Sequence, residues 1–181
     1  MKSQARYIAY TGLMLALCVL FQSLRTLIPV LATVQIFGPF NLSVLIIGSL
    51  VNLTLVLAAW HVGLWSGAAV SVLAPIIAFL QGHQTLLPMV VTIALGNFAL
   101  VLIVWLLREK KLVGVAAGAL LKFAVQYALV LLLVIPVFVP AESPQLKALP
   151  ILFSWPQLVA AVIGGALALL IYPRLKKALR W

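Results

Sequence analysis

The sequence is nearly free of acidic residues. It holds no aspartate and only two glutamates, Glu109 and Glu142, among 181 residues. Both glutamates stand between the long apolar runs, so no carboxylate is expected inside one of these runs. This absence argues against paired carboxylates for acid–base catalysis. It also removes the buried acidic relay that is common in proton-driven carriers.

Residues that would bind a metal or a nucleotide are equally scarce. Cys18 is the only cysteine, so an internal disulfide is excluded and a small packing role is expected. His61 and His83 have no cysteine or carboxylate at metal-ligand spacing, and there is no glycine-rich phosphate loop ending in Lys-Ser/Thr. The sequence therefore predicts no cofactor, no metal and no enzymatic activity. A transport function would need energy from another subunit.

Long apolar runs dominate what is present. The chain is 66% hydrophobic and 8% charged, whereas a soluble domain carries roughly a quarter of charged residues. The runs are about 20 residues long and show no alternation of period two, which favours membrane-spanning helices over a barrel. We predict an all-α polytopic membrane protein, a single domain over residues 1–181 with six transmembrane helices. Their approximate ranges are 6–27, 42–60, 64–80, 88–107, 113–135 and 156–172.

The connections differ in character. An irregular apolar stretch follows the first predicted helix from Pro29 and ends at Gly38 and Pro39, a pair that interrupts regular structure. The second and third helices are separated only by a short turn at residues 61–63. A proline-rich connection over residues 136–150 precedes the last helix. Pro75 is expected to kink the third helix.

The basic residues predict an orientation. The net charge is +10, and the cations lie at the chain ends and between the apolar runs. With the N-terminus inside, nine fall on the cytoplasmic side: Lys2, Arg6, Arg108, Lys110, Lys111, Arg174, Lys176, Lys177 and Arg180. Only Arg25 and Lys147 fall outside. This bias predicts cytoplasmic termini and contact with the lipid bilayer rather than with nucleic acid.

Lys122 is the most informative residue. It lies about ten residues into the fifth predicted helix, or roughly 15 Å from its start, which is near the middle of a membrane. A charged group there costs at least about 2.5 kcal/mol on insertion scales. Because no carboxylate is available, its partner is expected to be a bound ligand, water or backbone carbonyls. The alternative is that its long side chain reaches the headgroups.

Other polar residues extend this candidate substrate-binding site. Gln126 lies one turn beyond Lys122 on the same helix face, and Tyr127 is adjacent. Asn97 lies near the middle of the fourth predicted helix and Asn52 near the middle of the second, although ordinary interhelical hydrogen bonds would explain both. Further polar residues stand where they would close a site from outside: Gln22, Arg25, His83 and Gln84. Arg25 also fits an interface anchor. The predicted site therefore comprises Lys122, Gln126, Asn97, Arg25, Tyr127 and His83.

The first predicted helix carries small residues on one face. Gly12 and Ala16 are four residues apart, and such a pair lets another helix approach closely. The approaching helix would belong either to this bundle or to a partner membrane subunit. The sequence leaves both alternatives open.

Several segments resemble the substrate-binding S components of energy-coupling factor (ECF) transporters. They are RYIAYTGLMLALCVL with the apolar loop after it, GSLVNLTLVLAAWHVGLWSGAAVSVLAPIIAFLQG, and IALGNFALVLIVWLL. The resemblance spans almost the whole chain. It implies a six-helix bundle in a bacterial plasma membrane that captures a vitamin or related micronutrient under its first outer loop. It also implies a membrane coupling protein, which would dock on Gly12 and Ala16, and two cytoplasmic ATPases that drive uptake.

Other functional classes remain open from the sequence. A structural scaffold of the MreD-like cell-shape type has a similar size and helix count, and would leave Lys122 paired with backbone or facing the cytoplasm. A small membrane enzyme is disfavoured by the lack of clustered acids. An ion channel would need a symmetric pore, and no selectivity motif is visible. The ligand hypothesis instead places an anionic or carboxylate-bearing nutrient on Lys122, Gln126 and Asn97.

Overall fold

The computed structural model describes residues 2–83 and 86–179, which form a helical bundle with one small hairpin. The described residues form nine α-helices, in chain order: α1 Lys2–Leu27, α2 Val30–Thr33, α3 Leu42–Leu57, α4 Leu64–Leu80, α5 Leu87–Leu106, α6 Lys111–Leu129, α7 Ile135–Phe138, α8 Gln145–Leu152 and α9 Trp155–Leu179. Wider π-helical turns at Ala58–Val62 and Val130–Val134 extend α3 and α6. The strands β1 Gln35–Phe37 and β2 Phe40–Asn41 form the hairpin.

Within the described part of the chain, five helical segments are long and apolar enough to cross a membrane: Gln4–Leu27, Leu42–Val62, Leu87–Leu106, Lys111–Phe138 and Gln145–Ala178. The sixth, α4, has 17 residues. At about 1.5 Å per residue it is roughly 26 Å long, close to the hydrocarbon thickness of about 30 Å. The prediction of an all-α polytopic membrane bundle is confirmed.

Proline positions account for the main differences from the predicted ranges. The fifth predicted helix was expected to end at Ile135, but helical structure continues through α7 to Phe138. Pro136 lies inside this continuous helical segment, just after the π-helical turn Val130–Val134. The predicted proline-rich connection contains α8, and α9 continues past Pro173 to Leu179. Reading each proline as a stop was therefore wrong at these positions, because a proline removes a single intrahelical bond.

The stretch between α1 and α3 is more ordered than the sequence indicated. It holds α2 and then the hairpin, whose antiparallel strands pair Gln35 with Asn41 and Phe37 with Phe40. Gly38 turns the chain with a φ of 53°, a conformation that favours glycine. Phe40 is buried, and its ring lies 5.2 Å from the ring of Trp155. The hairpin therefore packs against the start of α9, at what we call the hairpin end of the bundle.

The core is divided between the two halves of the bundle. The larger apolar cluster includes Val56, Trp60, Leu100 and Val104, away from the hairpin. A smaller cluster lies nearer the hairpin and is built from Met89, Val130, Val134, Leu149 and Phe153. Buried polar side chains on α3, α5 and α6 stand between these apolar regions. This arrangement positions the candidate site.

Candidate functional site

A cavity of about 340 Å³ occupies the hairpin half of the bundle. Its walls come from α1, α3, α4, α5, α6, α8, the start of α9 and the segment between α4 and α5. Met89, Ile93 and Asn97 follow one another at four-residue spacing, so one face of α5 forms a continuous strip of the wall. The volume lies at the lower end of the roughly 300–1,000 Å³ that is usual for small-molecule sites.

The deep end of the cavity contains a three-residue polar cluster. The Lys122 ammonium donates hydrogen bonds to Oδ1 of Asn52, at 2.5 Å, and to Oδ1 of Asn97, at 2.7 Å. The exposed fractions of Lys122, Asn52 and Asn97 are 3%, 1% and 2%. Each residue lies near the middle of its helix, so the cluster joins α3, α5 and α6 at the centre of the bundle.

Local contacts orient Asn52 toward the ammonium. Its Nδ2 donates to the carbonyl oxygen of Gly48 one turn earlier, at 2.8 Å. Because only the other amide atom can accept a hydrogen bond, Oδ1 is left to face Lys122. Gly164 of α9 lies against this part of α3, and a Cβ built on it would stand 2.6 Å from Cβ of Asn52. The absence of a side chain at Gly164 therefore lets α9 pack behind Asn52.

Charge in the cavity is not neutralised by any carboxylate. The only acids, Glu109 and Glu142, are exposed, and Glu109 lies 3.9 Å from the guanidinium of its neighbour Arg108. The carbonyl oxygens around Lys122 solvate an ammonium but carry no formal charge. A buried charge is costly unless it is paired. The cluster is therefore suited to receive an anionic group.

Arg25 and His83 line the cavity near the hairpin end. Arg25 Nη1 donates to the carbonyl oxygen of His83 at 3.4 Å, and Thr26 Oγ1 lies 3.3 Å from Nε2 of His83. Burial, with a smaller contribution from the charge of Arg25, lowers the pKa of His83 below its ordinary value. His83 is therefore neutral at neutral pH, and Arg25 provides the positive charge at this end.

Five of the six predicted site residues line the cavity: Lys122, Gln126, Asn97, Arg25 and His83. The sixth, Tyr127, is outside the lining, and its ring stacks on that of Phe123 at 5.7 Å. Gln84 lies outside the described residues. Their common lining supports the predicted grouping of the first five, while their contact with a ligand stays a prediction.

The structure adds five polar lining residues to the predicted set: Gln22, Ser43, Asn52, Gln145 and Gln157. Asn52 was recognised from its mid-helix position but was not assigned to the site. Gln22 lies three residues before Arg25, so helical spacing gave a signal that both share one face. Gln145 begins α8 inside a stretch read as a loop, and no sequence signal placed it at the cavity.

The small residues of α1 lie on the surface of the bundle, away from its core. Gly12 and Ala16 are both exposed, and a Cβ built on Gly12 meets no atom within 4 Å. Within the described part of the chain, no other helix therefore covers Gly12. The sequence left open whether the helix approaching Gly12 belongs to this bundle or to a partner subunit. In the described residues, Gly12 does not pack against another helix of this bundle.

The sequence also matches a family model. Residues 6–175 match the model described as "ECF transporter, substrate-specific component". The chain belongs to this family. No curated protein and no solved structure matches it significantly. It is thus a multi-pass membrane subunit of a transporter rather than a member of an enzyme family, and the family implies a small-molecule substrate and association with an ECF module.

The geometry bears on the scaffold alternative as well. A scaffold without a ligand would leave Lys122 paired with backbone or facing the cytoplasm. Instead, its ammonium is held by two side-chain amides and lines a cavity. Both this arrangement and the family membership speak against the scaffold.

Proposed function

We propose that this chain captures a vitamin or related micronutrient with an anionic group from outside a bacterial cell, for ATP-driven uptake. The observation that carries the proposal is the Lys122 ammonium, which lines the cavity and, among the described residues, is bonded only to neutral amide oxygens. The anionic group of the nutrient would lie beside Lys122. Gln126 and Asn97 would complete its surroundings, and Arg25 and His83 would lie nearer the opening.

The hydrogen-bonding capacity of Lys122 supports an anionic ligand. An ammonium has three N–H donors, and the two asparagines accept two of them. The remaining donor is available to an occupant of the cavity. A hydrogen bond to a charged group contributes about 1.5–3 kcal/mol. A carboxylate or phosphate at this position would also supply the negative charge that the protein lacks.

The distribution of cations supports an outward-facing cavity. Lys111 at the start of α6 lies 5.3 Å from the Tyr172 ring of α9 and 6.0 Å from the Trp60 ring. These contacts place the basic start of α6 beside the last turns of α9, at the end of the bundle opposite the hairpin. The positive-inside rule assigns that end to the cytoplasm. The cavity would then lie in the outer half of the membrane, with both termini inside.

A co-purification experiment tests the proposed function. We expect the protein, extracted from membranes in mild detergent, to release one anionic small molecule on denaturation, identified by mass spectrometry. The Lys122→Met variant, prepared in parallel, should release at least about tenfold less of it per mole of protein. Equal recovery from both proteins would contradict capture by Lys122.

Energy for uptake would come from partners. The sequence has no glycine-rich phosphate loop of its own, and the family associates with an ECF module. We propose a membrane coupling protein and two cytoplasmic ATPases as these partners. The coupling protein would dock on Gly12 and Ala16, which lie on the exposed surface of α1, where small side chains permit close helix packing.

Substitutions on this face should separate docking from substrate binding. Gly12→Leu and Ala16→Leu are expected to lower uptake at least about fivefold in cells that contain the ECF module, because bulky side chains keep the partner helix away. Substrate binding by the purified variants should be unchanged, since neither residue lines the cavity. Radiolabelled uptake and pull-down of the module provide the measurements.

The matched control for docking is Ala116→Leu, which adds the same side chain at an exposed position on α6. Uptake by this variant should equal that of the wild type. If Gly12→Leu and Ala16→Leu also transport at the wild-type rate, this face of α1 is not the docking surface.

A further inference from the structure

Two glutamine carbonyl oxygens of the cavity lining are buried without a hydrogen-bond partner. They are Oε1 of Gln22 on α1 and Oε1 of Gln126 on α6, and neither finds a donor among the described residues. The exposed fractions of these side chains are 7% and 1%. Buried polar atoms are nearly always paired in folded proteins. The missing donors therefore point to the occupant of the cavity.

The orientation of the Gln22 amide follows from its neighbour. Its Nε2 donates to the carbonyl oxygen of Ala74 on α4, at 3.2 Å. A carbonyl oxygen accepts hydrogen bonds and cannot donate one, so the amide cannot be turned around without losing this contact. The Oε1 acceptor of Gln22 is therefore directed away from Ala74 and is left unpaired in the described part of the chain.

Close packing on α5 positions the Gln126 side chain. A Cβ built on Gly96 would lie 2.2 Å from Cγ, 2.6 Å from Cδ and 2.9 Å from Nε2 of Gln126. The side chain thus fills the notch that Gly96 leaves, with its Nε2 directed toward α5. Oε1 is the terminal atom on the other side. It lies one helical turn from Lys122 on the same face.

An occupant must satisfy these oxygens when it enters. A ligand that brings donors can pair these oxygens, whereas a ligand that brings none leaves them unpaired. Such a ligand loses affinity. The donor is expected to be neutral, because Lys122 and Arg25 already supply positive charge and no carboxylate lines the cavity. An ammonium donor, as in a free amino acid, would be repelled.

We propose that the substrate is an anion that also carries at least one neutral N–H donor, as amides, lactams and cyclic ureides do. This inference rests on the proposed function, because it uses the same cavity. The anionic group would contact Lys122, while N–H groups would donate to Oε1 of Gln126 and of Gln22. Simple carboxylates without such a donor would be poor ligands.

Matched probes test the donor requirement. Orotate combines a carboxylate with two ring N–H groups and pyroglutamate combines one with a single ring N–H, and 1,3-dimethylorotate and N-methylpyroglutamate differ from them only by replacing N–H with N–CH₃. Binding to the purified wild-type protein is measured by thermal shift and by competition with the co-purified molecule. We expect the methylated member of each pair to bind at least about tenfold more weakly.

Variants then assign the effect to the two oxygens. Gln126→Met and Gln22→Leu should each reduce the preference for the N–H member by about threefold or more. Lys122→Met should weaken both members of a pair alike. The control is Gln81→Met, because Gln81 is exposed and lies outside the cavity lining. The comparison of probes on the wild-type protein remains decisive if a glutamine variant does not fold.

Two results would overturn the inference. One is equal or tighter binding of the methylated probes by the wild-type protein. The other is a co-purified molecule that gains no nitrogen-bound deuterium after exchange in heavy water. In either case, binding that still depends on Lys122 would leave the proposed function standing. Binding that ignores Lys122 would instead count against the proposed function.

Discussion

Replacement of Lys122 by methionine is expected to lower the affinity for the anionic substrate at least about a hundredfold. Methionine has a similar length but offers no donor and no charge. A hundredfold loss corresponds to about 2.8 kcal/mol, which lies within the range of about 1.5–3 kcal/mol for a hydrogen bond to a charged group. The oxygens of Asn52 and Asn97 also lose their donor, so the deep end of the cavity loses its positive charge and keeps two unpaired acceptors.

The measurement is isothermal titration of the purified proteins with the molecule that co-purifies with the wild type. Lys147→Met is the control, because Lys147 is exposed and does not line the cavity. We expect it to bind like the wild type. Lys122→Arg keeps the charge in a larger side chain and should give an intermediate affinity. If Lys122→Met folds, by its melting curve and gel filtration, and binds with wild-type affinity, the role of Lys122 is refuted.

The sequence allowed much of the fold to be predicted because the membrane restricts the choices. Long apolar runs with few charges favour helices in a membrane. The helix predicted over residues 64–80 has the observed bounds of α4. Helical structure beyond Ile135 and within residues 145–152 was missed. Proline content suggested loops there, whereas packing against the bundle keeps these segments helical.

The candidate site shows what the sequence could and could not indicate. Lys122 was identifiable because a charge inside an apolar run needs compensation. Its partner Asn52 lies 70 positions away along the chain, and nothing in a single sequence reports which faces of two helices meet. Helices that are apolar all round give a weak periodic signal. Tyr127 was included because it follows Gln126, yet neighbouring helical residues point in different directions.

Gly164→Ala is expected to destabilise the protein by about 3 kcal/mol, near the upper end for overpacking of a core. A Cβ at Gly164 would stand 2.4 Å from the carbonyl oxygen of Ser49 and 2.8 Å from the backbone nitrogen of Leu53. These are backbone atoms of α3, which cannot move aside as a flexible side chain can. The methyl group must therefore push α9 away from α3 along an extensive helix contact.

The measurement is thermal unfolding in detergent, monitored by circular dichroism, of this variant and of Gly12→Ala. The same methyl group at Gly12 meets no atom within 4 Å, so that control should melt within a few degrees of the wild type. Equal melting temperatures for the two variants would show that α3 and α9 are not as closely packed as described.

Because Asn52 also lies against Gly164, with a 2.6 Å approach to its Cβ, any Gly164→Ala protein that folds should bind substrate more weakly as well. Loss of both stability and affinity at Gly164, with neither lost at Gly12, would link the α3–α9 contact to the position of the Lys122 cluster.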